Sequence, residues 1–219
     1  MSPEYLQRFG GIARLYGQAA LDRFAAAHVC VVGVGGVGSW AAEALARSGI
    51  GHLTLIDLDD ICITNTNRQI HALQGTVGAL KIEAMAARIL AINPECQVTL
   101  VDDFITPDNL AEHLSAEFDY VVDAIDSIRA KVALVAWCKR HKLPVIVSGG
   151  AGGKTDPTQI RIDDLSRTTM DPLASRLRAD LRRHHGFSRE AGKRFGIDCV
   201  YSTEQLRYPD GAGGVCQSR

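Results

Sequence analysis

The sequence predicts an α/β fold: a doubly wound, Rossmann-like, mostly parallel sheet with a C-terminal α/β extension. Three observations carry that expectation. Residues 28–39 run from an apolar stretch (Val29, Cys30, Val31, Val32) through a turn with glycines at 33, 35, 36 and 38 into an alanine-rich helical pattern ending at Arg47, which reads as a buried parallel strand, a glycine-rich turn and the start of a helix. Strand-like and helix-like stretches then alternate up to Ser148, as a parallel sheet with right-handed crossovers requires. After Gly153 the pattern changes to an alternating strand and a basic helix.

Length and composition bound the rest. The chain has 219 residues, enough for one large domain with a sizeable core. It divides into a helical lead-in over 1–27, a nucleotide-binding core over 28–153 and an extension over 154–219. With 24 basic and 25 acidic residues the net charge is −1, which excludes a whole-chain attraction to polyanions. Six cysteines stand at 30, 62, 96, 138, 199 and 216, with no C-x-x-C pair, which argues against a four-cysteine zinc site. Cys30 and Cys138 fall on expected buried elements, so the thiols are expected reduced and the protein cytoplasmic. The first residues lack a signal-peptide pattern, and no apolar run reaches the roughly 18 residues of a membrane span.

In chain order, residues 5–26 read as helix broken at Gly10–Gly11 and Gly17. Residues 52–57 form the second strand and end in Asp57, 24 positions after Gly33, near the spacing of a ribose-binding acid. The polar stretch 58–76, with Asp59, Asp60, Asn65, Asn67, Arg68 and Gln69, is long for a strand-to-helix connection, and such loops are usually functional. A helix is expected from about Val77 to Ile92, stopped by Asn93–Pro94. Lys81 in its first turns is electrostatically misplaced, because the positive end of the helix dipole prefers an anion. A strand over 97–101 follows, then a short helix begun by Pro107 and ending at Leu114, a strand over 119–123, a helix over 128–141 and a strand over 144–148 leading into Gly149–Gly153. In such sheets ligands sit at the carboxyl ends of the strands, the edge to which Gly33, Asp57, Asp123, Asp126 and the 149–153 turn are all assigned. In the extension, 159–163 reads as a half-exposed strand and 172–185 as an amphipathic helix. Arg176 to Arg194 holds seven basic against two acidic residues, either a solvated face or a nucleic-acid contact.

The chemistry departs from that of a dehydrogenase. The turn is Gly33-x-Gly35-Gly36-Val37-Gly38-Ser39, displaced from G-x-G-x-x-G. A cationic pair, Arg68 and Lys81, follows the ribose acid, and Asp123-x-x-Asp126 ends a later strand. Two cations suit a triphosphate, and a carboxylate at the same edge suits Mg²⁺ shared with phosphate oxygens.

These pieces (33–39, Asp57-x-Asp59, Asn65-x-x-Arg68-Gln69, Lys81 and Asp126) resemble the ubiquitin-activating-like adenylating superfamily that contains ThiF and MoeB. The resemblance implies ATP-driven activation of a carboxylate to an acyl-adenylate. By position it implies that Gly35, Gly36 and Gly38 face phosphate and Asp57 holds the ribose hydroxyls. Asn65, Arg68 and Lys81 would grip the triphosphate, and Asp126 would bind Mg²⁺ with Asp59 nearby. Longer stretches, 8–17, 64–72, 149–153 and 198–204, are similar to the tRNA threonylcarbamoyladenosine dehydratases. That likeness implies a tRNA substrate cyclised with net loss of water, a homodimer, a monovalent cation (Na⁺ or K⁺) and a link to a cysteine-desulfurase sulfur-acceptor protein. Family members often carry an apolar C-terminal tail, the one expected route to membrane association; here the chain ends at Gln217–Ser218–Arg219. The paired zinc cysteines of MoeB- and ThiF-type relatives are missing, and their second lead-in arginine is Gly11 here. Arg14 or Arg8 is expected to replace it, reaching a partner subunit's triphosphate. Cys199 is read as structural rather than as an acyl carrier. Two alternatives stand beside this reading: a sulfur-carrier protein adenylyltransferase of the same superfamily, and an NAD-binding oxidoreductase or redox module.

Overall fold

The computed structural model describes residues 1–210 and 214–216; the chain end at 217–219 lies outside the described residues. The backbone forms two compact units, Met1–Ala124 and Ile125–Arg219.

The first unit opens with α1 (Pro3–Tyr16) and α2 (Gln18–Ala26), followed by β1 (His28–Val32), α3 (Gly38–Arg47), β2 (His52–Ile56), α4 (Lys81–Ile92), β3 (Gln97–Val101), α5 (Leu110–His113) and β4 (Tyr120–Asp123). The strands lie in the order β3-β2-β1-β4 and all pair parallel. Val32 pairs with Ile56 and with Asp123, and Ile56 with Val101. The four carboxyl ends therefore finish together and form one edge. The two inner strands β1 and β2 are short β-branched and leucine runs buried on both faces, as parallel strands within a sheet are, whereas β3 at the edge is largely exposed. Val29, Val31, Leu53 and Leu55 pack with Ala42 and Ala46 of α3 and Ile82, Met85 and Ile89 of α4, the three- and four-residue spacings that put side chains on one helix face.

Three boundaries differ from the sequence expectation, each for a local reason. Helix α1 runs unbroken through Gly10–Gly11. Two helical glycines cost about 1 kcal/mol each, and burial of Tyr5 and Phe9 against Leu21 offsets it. The break falls at Gly17 alone, where φ is +87°. Helix α4 starts at Lys81 rather than Val77. The preceding loop is instead tied down by an Asp60–Leu80 bridge and by amides of Ile61 and Lys81 donating to the carbonyls of Ala79 and Asp59 at 2.9 and 3.0 Å. Helix α5 covers only Leu110–His113. Pro107 lies outside it, because the Asn109 side chain accepts from the Thr106 amide and donates to the Phe104 carbonyl, closing a turn ahead of the helix.

The second unit contains α6 (Ile128–His141), β5 (Val145–Ser148), β6 (Ile160–Asp164), α7 (Pro172–His184), β7 (Asp198–Ser202) and a two-stranded pair, β8 (Tyr208–Pro209) with β9 (Val215–Cys216). β7 pairs parallel with β5 and antiparallel with β6. The basic helix α7 is capped by Asp171, which accepts from the Ala174 amide at 2.8 Å, with Pro172 at its first turn. It buries Ala174, Leu177 and Leu181 and packs against α6.

Candidate active site

The glycine turn is shaped by contacts that only glycine permits. At Gly33 φ is +85°, and a Cβ on Gly38 would lie 1.7 Å from the Gly33 carbonyl oxygen. Helix α3 starts at Gly38 with no side-chain cap. Among the described residues no hydrogen bond takes up the amides of Gly35 and Gly36, so these donors and the positive end of α3 face the strand edge as a cradle for an anion.

Asp57, just beyond β2, organises this turn. Its Oδ2 accepts from the Val34 amide at 2.6 Å and its Oδ1 from the Asp59 amide at 2.9 Å. Lys81, only 7 % exposed at its side chain, places Nζ 2.5 Å from Asp59 Oδ2 and 3.9 Å from Asp57 Oδ1. The lysine that looked misplaced at a helix N-terminus thus has two carboxylates as partners. Arg68 lies across the turn: a Cβ on Gly36 would meet its Cδ and Cγ at 3.5 and 3.6 Å. Its guanidinium is exposed and donates to the Thr64 carbonyl at 2.9 Å and to Asn67 Oδ1 at 3.0 Å. Asn65 is buried and its Oδ1 accepts from the Cys62 amide at 2.9 Å, a bond that holds the loop carrying Arg68. Asp123 ends β4 beside Val32 and is fully buried.

Gly33, Gly35, Gly36, Gly38, Asp57, Asp59, Asn65, Arg68, Lys81 and Asp123 therefore belong to one unit and one strand edge. Asp126 belongs to the second unit, where it is exposed, two positions before the first residue of α6. Arg14 is exposed near the end of α1. That helix is anchored by Tyr5, whose hydroxyl donates to the Gly49 carbonyl at the end of the sheet away from the glycine turn. Among the described residues no hydrogen bond or ion pair joins Arg14 to the cluster. Arg8 pairs with Glu4 at 2.6 Å.

Three residues of the cluster carried no assigned role in the sequence. The Trp40 indole, 53 % exposed, donates to the Arg68 carbonyl at 2.9 Å. His71 is buried with Nε2 2.8 Å from the Val34 carbonyl oxygen. A carbonyl only accepts, so Nε2 carries the proton. Burial pushes the His71 pKa down, and Lys81 adds to the effect. Gln69 is buried beside Gly35. Among the described residues its Oε1 and His71 Nδ1 have no partner. A tryptophan one turn into a helix after a glycine loop, and a histidine three positions after Arg68, were the available signals.

A model of the ThiF family matches residues 10–185. The chain belongs to the ThiF family. Within that family it is 60 % identical over 216 residues to the tRNA threonylcarbamoyladenosine dehydratase of Escherichia coli, covering 99 % of this chain and 81 % of that protein. The solved structure of the E. coli enzyme in complex with ATP superimposes with a TM-score of 0.93 at 60 % identity, covering 95 % of this chain and 86 % of that one. The molybdopterin-synthase adenylyltransferase of E. coli is more distant: 38 % identical over 135 residues, covering 62 % of this chain and 52 % of its own length. Among the described residues of this ThiF-family chain no cluster of three or more histidine, cysteine or acidic side chains forms a metal cage. Cys199 is buried on β7 with 0 % exposure. No described helix is long and apolar enough to cross a membrane.

Proposed function

We propose that this chain is an ATP-dependent tRNA threonylcarbamoyladenosine dehydratase. The threonyl carboxylate of the modified adenosine attacks the α-phosphorus of ATP, and pyrophosphate leaves. The carbamoyl group of the same nucleoside then attacks the acyl carbon, a ring closes, and AMP departs carrying one former carboxylate oxygen. The net change in the RNA is the loss of one water. What carries the reading is Arg68 lying over Gly36 at a turn where, among the described residues, the Gly35 and Gly36 amides have no hydrogen-bond acceptor. A fixed anion cradle with a cation above it favours a triphosphate and the charge that builds as pyrophosphate departs.

Each residue has a part in that chemistry. The amides at Gly35 and Gly36 bind phosphate oxygens. Arg68 leaves Thr64 and Asn67 to grip the triphosphate, while Asn65 and Trp40 hold its loop in place. Lys81 moves its ammonium between Asp59 and the incoming phosphates. Asp57 keeps the turn open and has the lone pairs left to meet a ribose hydroxyl. The resemblance assigns Mg²⁺ to Asp126, an exposed carboxylate, and the residue type fits: a hard cation bound through one carboxylate plus substrate phosphates needs no protein cage. When bound, Mg²⁺ neutralises charge on the phosphates. A monovalent cation, a homodimer in which Arg14 of the partner subunit reaches the triphosphate, and a sulfur-acceptor protein of a cysteine-desulfurase system complete the proposal; the sequence resemblance supports them. A cytoplasmic location rests on the thiols: Cys30 and Cys138 are buried, and neither forms a disulfide among the described residues.

The burial of Cys199 weighs against the sulfur-carrier alternative, which would use an exposed thiol. The direct test is incubation with ATP, Mg²⁺ and tRNA bearing threonylcarbamoyladenosine, followed by nucleoside mass spectrometry. A product lighter by one water supports the proposal, and unchanged nucleoside refutes it. Titration calorimetry with ATP and NADH separates the oxidoreductase reading, which requires tight NADH binding and none of ATP.

A further inference from the structure

The second unit holds a cavity of about 370 Å³ at the start of α7 and the segment between β7 and β8, a size suited to a small organic group. None of the roles above uses it. Met170, Leu206 and Tyr208 supply apolar walls, and Asp171, Arg178 and Gln205 supply polar edges. Two features mark it as a built site. Met170 is 63 % exposed and sits at φ +55°, a left-handed conformation that a long side chain rarely adopts and that clusters at ligand sites. Lys154 holds it there, with Nζ donating to the carbonyls of Met170 and Ser202 at 3.3 and 3.4 Å. Asp171 is buried, its two oxygens accepting from the amides of Ala174 and Gly150 at 2.8 and 2.9 Å.

A carboxylate in the lining disfavours a phosphate or carboxylate guest. A wholly apolar guest would strip water from the half-buried Arg178 guanidinium without replacing its hydrogen bonds. A flat group with donors and acceptors along its rim satisfies both constraints. The exposed Arg176 and Arg183 stand on the same helix, and cations beside a cavity suit an RNA backbone. RNA-binding proteins take unpaired bases between apolar or aromatic side chains and read their edges with polar ones. We infer that this cavity receives one unpaired, splayed-out base of the RNA substrate, with Met170 and Tyr208 on its faces and Arg178 and Asp171 on its edge. The inference rests on the tRNA reading above.

The test uses the full chain and an RNA hairpin carrying threonylcarbamoyladenosine, with a panel of the same hairpin made abasic at each single-stranded position. Met170→Gly relaxes the backbone while removing a wall, and Tyr208→Ala removes another. Base stacking of this kind predicts an RNA Kd weakened about five- to a hundredfold in these variants. ATP affinity, which reports the fold of the other unit, is expected unchanged. At one abasic position the wild type is expected to fall to the variants' affinity, with no further loss in the variants. If the wild type converts the hairpin and the variants bind it equally well, or if the losses add at every abasic position, the cavity assignment is overturned alone. If the wild type neither binds nor converts the hairpin, the tRNA reading falls and takes this one with it.

Discussion

Lys81 donates to Asp59 over 2.5 Å from a side chain that is almost fully buried. The pair joins the first turn of α4 to the loop after β2, so it sets the distance between the glycine turn and the loop that bears Arg68. Replacing Lys81 by Met leaves Asp57 and Asp59 facing each other without their cation. Because Asp59 is half-exposed, its charge can rehydrate, and the expected loss of stability is about 1–3 kcal/mol. ATP binding is expected to fall far more than stability. Urea denaturation read beside calorimetric titration with ATP checks both; wild-type affinity in a folded Lys81→Met would remove the residue from the site.

Gly38→Ala and Gly36→Ala are expected to fail differently. At Gly38 the added carbon would sit 1.7 Å from the Gly33 carbonyl oxygen, so β1 and α3 must move apart, at a cost above about 4 kcal/mol. At Gly36 the nearest atoms are 3.5 Å away on the flexible Arg68 side chain, an ordinary contact. Gly36→Ala should melt close to the wild type yet bind ATP poorly, because the methyl group stands where a phosphate oxygen approaches. Parallel thermal melts with and without ATP distinguish the two.

Asp126→Asn is expected to fold normally, since the side chain is exposed, and to lose the Mg²⁺ dependence of turnover. Titrating Mg²⁺ against pyrophosphate release measures it. A variant with the wild-type Mg²⁺ requirement would place the metal ligand elsewhere.

Acid should weaken the first unit through a histidine pair. His28 and His52 stack face to face with ring centres 3.4 Å apart, edge-on to Phe118 in the case of His28. Burial lowers both pKa values, and His52 lowers that of His28 further. The unfolded chain titrates near 6.5 and takes up protons that the folded pair refuses. Stability is therefore intact above that pH and is lost as the pH falls below it. Urea midpoints at about pH 7.5 and pH 5 measure the drop, and His52→Phe, which keeps an aromatic ring there, should flatten it.

Much of this was legible in the sequence because periodicity reports burial. The helix over 128–141 lies where its pattern puts it and buries Val132, Leu134, Val135 and Cys138. The lead-in was harder, since the gain from burying Tyr5 and Phe9 comes from residues distant in sequence and outweighs the local cost of Gly10 and Gly11. Lys81 announced itself by a charge at the wrong end of a helix. His71 and Trp40 did not, because each acts on a backbone carbonyl, and backbone partners leave no trace in residue type. Arg178 and Arg182 show the reverse. Both counted toward a basic stretch, yet Arg178 donates to Thr168 and Arg182 lies 5.2 Å from the Phe195 ring centre while donating to the Ser188 carbonyl at 3.2 Å. Arg176, Arg183, Arg189, Lys193 and Arg194 remain exposed.

The most direct measurement follows an atom. The modified tRNA is prepared with heavy oxygen in the threonyl carboxylate and turned over once with ATP and Mg²⁺. Attack on the α-phosphorus leaves one heavy oxygen in the AMP released and none in pyrophosphate. Heavy oxygen in pyrophosphate, or AMP without label beside a dehydrated nucleoside, would contradict the acyl-adenylate and with it the role of the glycine turn and Arg68.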